Sequence, residues 1–178
     1  VATGATTVTY EVRGAASYAP VTVAFGSVTT AGNLTVTSHD GDHPSIVSSG
    51  IHPNLGVNRY WTLTNGGVIF TNYSGTFNFT AGDLDPSVNT GTFIVERYVP
   101  STWNATTIGT RTGTSTQATG MTSFSDFVLG EMATYTLTYT AGANGSISGT
   151  SPQSVSYGGS GTQVTAMPDT GYHFAQWS

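Results

Sequence analysis

The chain has 178 residues, enough for one large fold, or a medium and a small one, with a core that needs no covalent staples. Charged residues make up only 7% of it, against roughly 25% in an average globular protein, and the formal net charge is −5. The only cations are Arg13, Arg59, Arg97 and Arg111, with no lysine and no cysteine, which excludes a basic patch for nucleic acid or anionic membrane, a disulfide framework and thiolate metal sites.

Taken in chain order, apolar residues recur with a period of two almost everywhere and with a helical period almost nowhere. Residues 6–13 place Val8, Tyr10 and Val12 on one face; Val21, Val23 and Phe25 repeat the pattern, as do Leu34 and Val36. Residues 58–64 set Trp61 and Leu63 together, residues 67–71 follow, and residues 76–80 set Phe77 and Phe79 inward. Residues 92–99 alternate Phe93, Val95, Arg97 and Val99 against Ile94, Glu96 and Tyr98. Threonine-rich segments lead to about residue 116, and residues 124–131 close the block. Short strands spaced by Gly, Asn, Asp and Pro turns predict an all-β fold, an antiparallel, immunoglobulin-like β-sandwich over residues 1–131. The abundant threonine is β-branched and suits a pleated surface.

A boundary is expected near residues 130–134, followed by a small β-rich module over residues 132–178. There Tyr135, Leu137 and Tyr139 alternate, and Asn144-Gly145 signals a tight hairpin. Runs at 153–157, 162–167 and 172–177 complete about four short strands. No run of about 18 apolar residues exists to form a membrane-spanning helix.

The opening Tyr-Thr-Leu-Thr at 135–138, the Ala-Asn-Gly-Ser turn, the strand Gly-Thr-Gln-Val-Thr-Ala, Pro-Asp-Thr-Gly-Tyr and the aromatic-x-x-Trp-Ser ending give residues 134–178 a resemblance to a divergent internalin-type B-repeat. That resemblance implies a module of bacterial surface proteins. The family pattern runs on beyond Trp-Ser through two more strands, so the expectation here is an incomplete unit with unpaired strand edges. Residues 18–131, through "VNRYWTLTNGGVIFTNYSGTFNF", "AGDLDPSVNTGTFIVERY" and "GTRTGTSTQATGMTSFSDFVLGE", resemble a sandwich module found near the C-terminal end of long secreted bacterial surface proteins. This second resemblance implies a spacer, stalk or adhesive piece and brings no catalytic residues. The start at Val1, without Met or a leader-like segment, suits a processed or excised piece.

Three of the four histidines, His39, His43 and His52, fall in one stretch with Asp40 and Asp42. Zinc would need three or four ligands converging at about 2.0–2.2 Å. Gly41 and the two His-Pro steps exclude a helix, and an extended strand holds His39 and His43 on the order of 13 Å apart. A turn at Asp40-Gly41-Asp42 is the one route to convergence; the plainer expectation is a long inter-strand loop. Asp83, Asp85 and Asn89 offer oxygens at alternate positions for calcium, competing with a turn-forming role; the EF-hand pattern is absent. No other cofactor is implied.

No Gly-x-Ser-x-Gly elbow occurs, and Glu96, beside Arg97, reads as a surface charge, so no catalytic residue is assigned and no enzyme is expected. Trp61 and Trp177 alternate with apolar neighbours and are expected in the core. Trp103, in a polar Ser-Thr-Trp-Asn context, is the candidate exposed tryptophan for binding surface glycans.

The expected function is a non-enzymatic extracellular structural or adhesive protein of a bacterial surface, with a carbohydrate-binding module as the alternative. Its partners would be copies of itself, neighbouring domains of a longer surface protein, or surface glycans, with neither nucleic acid nor membrane insertion. If strands are exchanged between copies, Thr6, Val8, Tyr10 and Val12 supply the donated strand. Tyr172, Phe174 and Trp177 then mark the acceptor end of a fibre.

Overall fold

The structure is a computed structural model that describes residues 1–15 and 17–177. No α-helix occurs among the described residues, and the chain divides into two compact units, Val1–Met132 and Ala133–Ser178.

In the first unit the chain forms β1 (Gly4–Tyr10), β2 (Val21–Thr30), β3 (Asn33–Asp40), β4 (Ile51–Gly56), β5 (Arg59–Gly66) and β6 (Ile69–Phe70). It continues as β7 (Tyr73–Asn78), β8 (Ile94–Val99), β9 (Thr102–Ala105), β10 (Thr107–Arg111), β11 (Ser115–Met121) and β12 (Asp126–Met132). One sheet has the order β1-β2-β7-β11-β10, with β6 also paired to β2. The other has the order β3-β5-β12-β8-β9, with β4 also paired to β12. The pairings are antiparallel throughout.

The alternation explains how the sheets face each other as a β-sandwich. Val21, Val23, Phe25, Phe77 and Ala118 from one sheet pack into a single buried cluster with Leu34, Val36, Trp61, Leu63, Val95, Phe127 and Leu129 from the other. Rings tile its centre: Trp61 meets Phe77 at 5.4 Å, and Phe77 meets Phe127 at 4.9 Å between centroids. Such tilted pairs add to the stabilisation from buried area.

The stretch 39–53 is more ordered than a loop. His39 and Asp40 end β3, a 3-10 turn spans Ile46–Ser48, and His52 and Pro53 belong to β4. Strand β4 is possible because β12 passes close by: Gly130 pairs with Gly56, and a Cβ on Gly130 would lie 2.9 Å from Gly56 Cα. Alternation could not reveal β4, since Ile-His-Pro-Asn-Leu-Gly lacks a period-two apolar face.

The second unit contains β13 (Thr134–Leu137), β14 (Gly145–Ser148), β15 (Gln153–Ser156) and β16 (Thr165–Pro168). The Asn-Gly turn forms, with Asn144 at φ 64°, but its flanking strands do not pair with each other. Instead β13 pairs β15 and β14 pairs β16, giving two separate two-stranded sheets. Gln153 braces the unit: its amide donates to the carbonyls of Thr150 and Thr162 at 2.8 and 2.9 Å and accepts the Thr162 N–H at 2.6 Å. The strand expected over residues 172–177 is absent, and Trp177 is 51% exposed rather than buried. Without a strand there, alternation no longer assigns Trp177 to an inner face. Seven of the eleven exposed large apolar side chains among the described residues lie in this unit.

Candidate functional site

Two polar assemblies are built into the sandwich, and a cleft lies in the second unit. The first assembly covers the outer face of the β3-β5-β12-β8-β9 sheet. Register places Asp126 beside Tyr98 and Tyr98 beside Trp103, with Val128 beside Glu96 on the same face. Residues 43–51 fold over this face as a strap. Ile46 and Ile51 pack on Val128, Tyr60, Ile94 and Trp103 as a small second core.

His43 anchors the strap and is 6% exposed. Its ring meets Tyr60, Tyr98 and Trp103 at 4.9, 4.8 and 5.0 Å. The Ser45 N–H donates to His43 Nδ1 at 3.1 Å, so in the neutral ring the proton sits on Nε2 and is shared with Asp126 Oδ2 at 3.2 Å. Trp103 Nε1–H donates to Ser45 O at 2.9 Å. Trp103 is therefore a half-buried roof of the strap, not the exposed platform its polar neighbours suggested; the covering loop lies 58 residues earlier in the chain.

Glu96 is likewise no surface charge. It is 6% exposed beneath the strap and accepts the Gly50 N–H at 2.9 Å. Burial pushes its carboxyl above the usual range, partly offset by the bond from Gly50. A carboxyl with a raised folded-state pKa contributes stability that is present below its unfolded pKa and is lost as pH rises through the folded one. Glu96→Gln keeps an acceptor for Gly50 and removes the buried charge. The variant is expected to melt higher than the parent at pH 7 and alike at about pH 3, where the carboxyl is neutral anyway. Thermal scans at both pH values check this; a lower melting temperature at pH 7 would refute it.

Trp103→Ala is expected to free the strap while leaving the sandwich folded. Amide exchange at Gly50 and Ile51 should accelerate well before that of β5 and β12. Unchanged protection at Gly50 would mean that Trp103 does not hold the strap.

The second assembly closes one end of the sandwich. Arg59 shares the inner face with Trp61 and Leu63 and is 1% exposed. Its guanidinium donates to Asp83 Oδ1 at 2.9 Å, to Asp40 Oδ1 at 2.8 Å, to Ser38 Oγ at 2.6 Å and to Ser17 Oγ. Asp83 is itself saturated: Oδ1 also accepts Ser17 Oγ–H at 2.6 Å, and Oδ2 accepts the N–H and Oγ–H of Thr80 at 2.8 and 2.9 Å. Burial pushes the Asp83 carboxyl up, but the bonds from Ser17, Thr80 and Arg59 outweigh it and hold the group below the usual carboxylate range. With four donors on its two oxygens, Asp83 keeps no free lone pair for a cation.

The other residues singled out for metal are engaged separately. Asp85 accepts the Gly56 N–H and Asn58 Nδ2–H at 2.9 and 2.8 Å, and Asn89 caps a 3-10 turn by accepting the Gly91 N–H at 3.1 Å. Asp85 instead neighbours Asp42, whose carboxyl is pushed up by burial and by the Asp85 charge. His39 stacks on Tyr60 at 4.4 Å with Nε2 against Thr62 Oγ1, while His52 Nδ1 accepts the Asn54 N–H at 3.2 Å. Tyr60 thus contacts the rings of both His39 and His43. No three His, Asp or Glu side chains are grouped for a metal ion among the described residues.

Thr6, Val8 and Tyr10 lie in β1, which pairs along its length with β2 of the same chain, and Val12 is half-buried against the main core. Tyr172, Phe174 and Trp177 are 58, 46 and 51% exposed. In the second unit a cleft of about 510 Å³ is walled by Tyr139, Phe174 and Trp177. Trp177 lies edge-on to Tyr139 at 6.1 Å and tilted to Phe174 at 5.2 Å. Neither Tyr139 nor Phe174 stands out in the sequence as a ligand contact, because alternation marks such residues only as apolar.

Residues 135–178 match the divergent InlB B-repeat domain, in agreement with the resemblance carried by the sequence motifs. B-repeat domains occur in bacterial surface proteins. No curated protein and no solved structure matches the chain.

Proposed function

We propose that this chain is a non-enzymatic, extracellular structural and adhesive part of a bacterial surface protein. The observation that carries this reading is the pairing of a sandwich whose buried charges are tied into structural bonds with a unit that matches the B-repeat domain of bacterial surface proteins. The first unit serves as a rigid spacer. The second supplies contacts, either to neighbouring domains of a longer surface protein or to material outside the cell. Immunogold labelling of intact source cells with antibody against residues 133–178 tests the reading. Label on the outer surface is expected; label confined to the cell interior overturns it.

A second reading, a fibre built by strand exchange between copies, is favoured by one feature. Among the described residues the strands of the second unit pair two by two, and neither two-stranded sheet has a further partner strand at its outer edges. Such edges are templates for strand addition. Strand β1, at the margin of its own sheet, is the segment to be donated, and it must first leave β2. Light scattering and negative-stain electron microscopy over a concentration series decide the matter. Filaments are expected under this reading, and a monodisperse monomer at every concentration removes it.

A further inference from the structure

We propose that a cleft in the sandwich, between β5 and the turn that joins β11 to β12, binds a neutral saccharide. This deepens the adhesive part of the reading above and rests on it. The cleft encloses about 460 Å³, within the roughly 300–1,000 Å³ range of small-molecule sites. All of its lining belongs to the first unit: residues 62–65, Phe70 and residues 122–125. No Asp, Glu, Lys, Arg or His is among the described residues that line it. A charged ligand would lose hydration there without meeting a counter-charge, a cost that a neutral ligand does not incur.

Two rings give the cleft a surface for stacking. Phe70 and Phe124 are partly buried against the main core and meet at 4.9 Å between centroids. Each is braced by a further ring: Phe70 meets Phe25 at 5.4 Å, and Phe124 meets Tyr73 at 4.7 Å. The C–H face of a pyranose is apolar and carries partial positive charge, so it complements the negative face of an aromatic ring. Aromatic side chains also supply contact area at low conformational-entropy cost. Hydroxyls of Thr62, Thr64, Thr122, Ser123 and Ser125 make up much of the remaining lining. A wholly apolar ligand would strip water from these groups and answer none of them.

The polar side is held in place before any ligand arrives. The Ser123 carbonyl accepts the Tyr73 hydroxyl and Arg97 Nη1–H, both at 3.0 Å, and Arg97 Nη1 also donates to Ser123 Oγ at 2.7 Å. The Leu63 N–H donates to the Ser125 carbonyl at 2.9 Å, and Ser125 Oγ–H donates to the carbonyl of Tyr98. Strands β5, β7 and β8 thereby fix a surface turn, a kind of segment that is mobile by default. Because Ser123 Oγ accepts from a cation, its own hydrogen is left for an acceptor on the ligand, and the guanidinium strengthens that donation. Thr64 and Thr122 present exposed hydroxyls to the same cleft. Asn65 is already engaged, its amide closing on the N–H and carbonyl of Val68 at 2.8 and 2.9 Å, so it shapes the wall. A few convergent polar groups beside an aromatic surface fix the orientation of a ligand.

The test uses the full chain and a panel of neutral cello-, chito-, malto- and manno-oligosaccharides, with oligogalacturonate as an acidic comparison, read by calorimetry. Saturable binding of at least one neutral member is expected. Ser123→Ala should weaken it about threefold or more. Phe124→Leu, which keeps apolar volume without the ring, should weaken it about tenfold. Trp177→Ala, in the second unit, should leave it unchanged. Circular dichroism checks that each variant is folded. Where Phe124→Leu is not, Thr64→Arg sets a long side chain at an exposed position of the cleft and should abolish binding. No binding across the panel overturns the proposal, as does binding that survives both Ser123→Ala and Phe124→Leu. Binding lost in Trp177→Ala overturns it and moves the ligand to the second unit. Binding confined to oligogalacturonate also overturns it, and makes Arg97 the anchor of an anionic ligand. Surface labelling succeeds or fails independently of this panel, so failure of the ligand and failure of the surface reading are distinguishable.

Discussion

Arg59→Ala is expected to lower the unfolding free energy by about 3–5 kcal/mol, the cost of leaving one partner of a buried ion pair uncompensated. The cost arises less from lost attraction than from what stays behind. Asp83 is 6% exposed, and without the guanidinium its charge would face the core end of the sandwich with only hydroxyl and amide donors. Asp40 lies at the rim and can turn to solvent, so it contributes little to the penalty. Replacing both Arg59 and Asp83 by apolar residues should recover much of the loss, since buried ion pairs exchange for hydrophobic contacts at little net cost.

The pH dependence has a definite sign. Asp83 is held below its ordinary pKa in the folded state, so its contribution is present above the unfolded value and is lost as pH falls through the folded one. The gap between parent and Arg59→Ala should therefore be widest above about pH 4 and narrow toward pH 2. Urea titrations at neutral and acid pH check both statements. A loss at pH 7 of under about 1 kcal/mol would falsify the clamp, since that is the value of an exposed pair.

The second large effect is expected at Trp61, where alanine should cost about 3–5 kcal/mol. Trp61 is fully buried, lies against Phe77 at 5.4 Å and donates its indole N–H to the carbonyl of Ala19 at 2.9 Å. Two losses combine in the alanine variant, a large cavity between the sheets and an unpaired buried carbonyl. Trp61→Phe separates them: it fills most of the space but leaves Ala19 without its donor, and about 1–3 kcal/mol is expected from that alone. Chemical denaturation of the two variants measures the difference. Equal losses for Phe and Ala would show that the hydrogen bond, rather than volume, governs the site. Since Trp61 and Arg59 are two residues apart on β5, the double variant should not be additive.

Of these two side chains alternation places Trp61, with Leu63, on an inner face, while Arg59 reads from the sequence only as one of the four cations. Arg59, Trp61 and Leu63 are in phase, and so are Val21, Val23 and Phe25 or Phe77 and Phe79; all of these are buried. A period of two reports which face of a strand a residue occupies, and where a core lies on one face it reports burial as well. It does not report what lies above the other face. Glu96, Tyr98 and Trp103 occupy the outer face of their sheet and read as surface residues, yet a strap from residues 43–51 covers them. The identity of each charge's partner was equally hidden, because Asp83 meets Arg59 across 24 residues and Ser17 across 66.

The same division runs through the second unit. Its B-repeat character, its Asn-Gly turn and its short strands can be read from local residue order, since turn chemistry and alternation act over a few neighbours. Which strand pairs with which could not be. An Asn-Gly turn favours a hairpin, but β13 and β14 each find a later strand instead, and Trp177 stays outside. Pairing and covering are competitions among segments distant in sequence, settled only when the whole chain is folded. Composition and period thus set the class of fold and most of its core. The strap, the clamp and the aromatic cleft arise from contacts that no local pattern encodes.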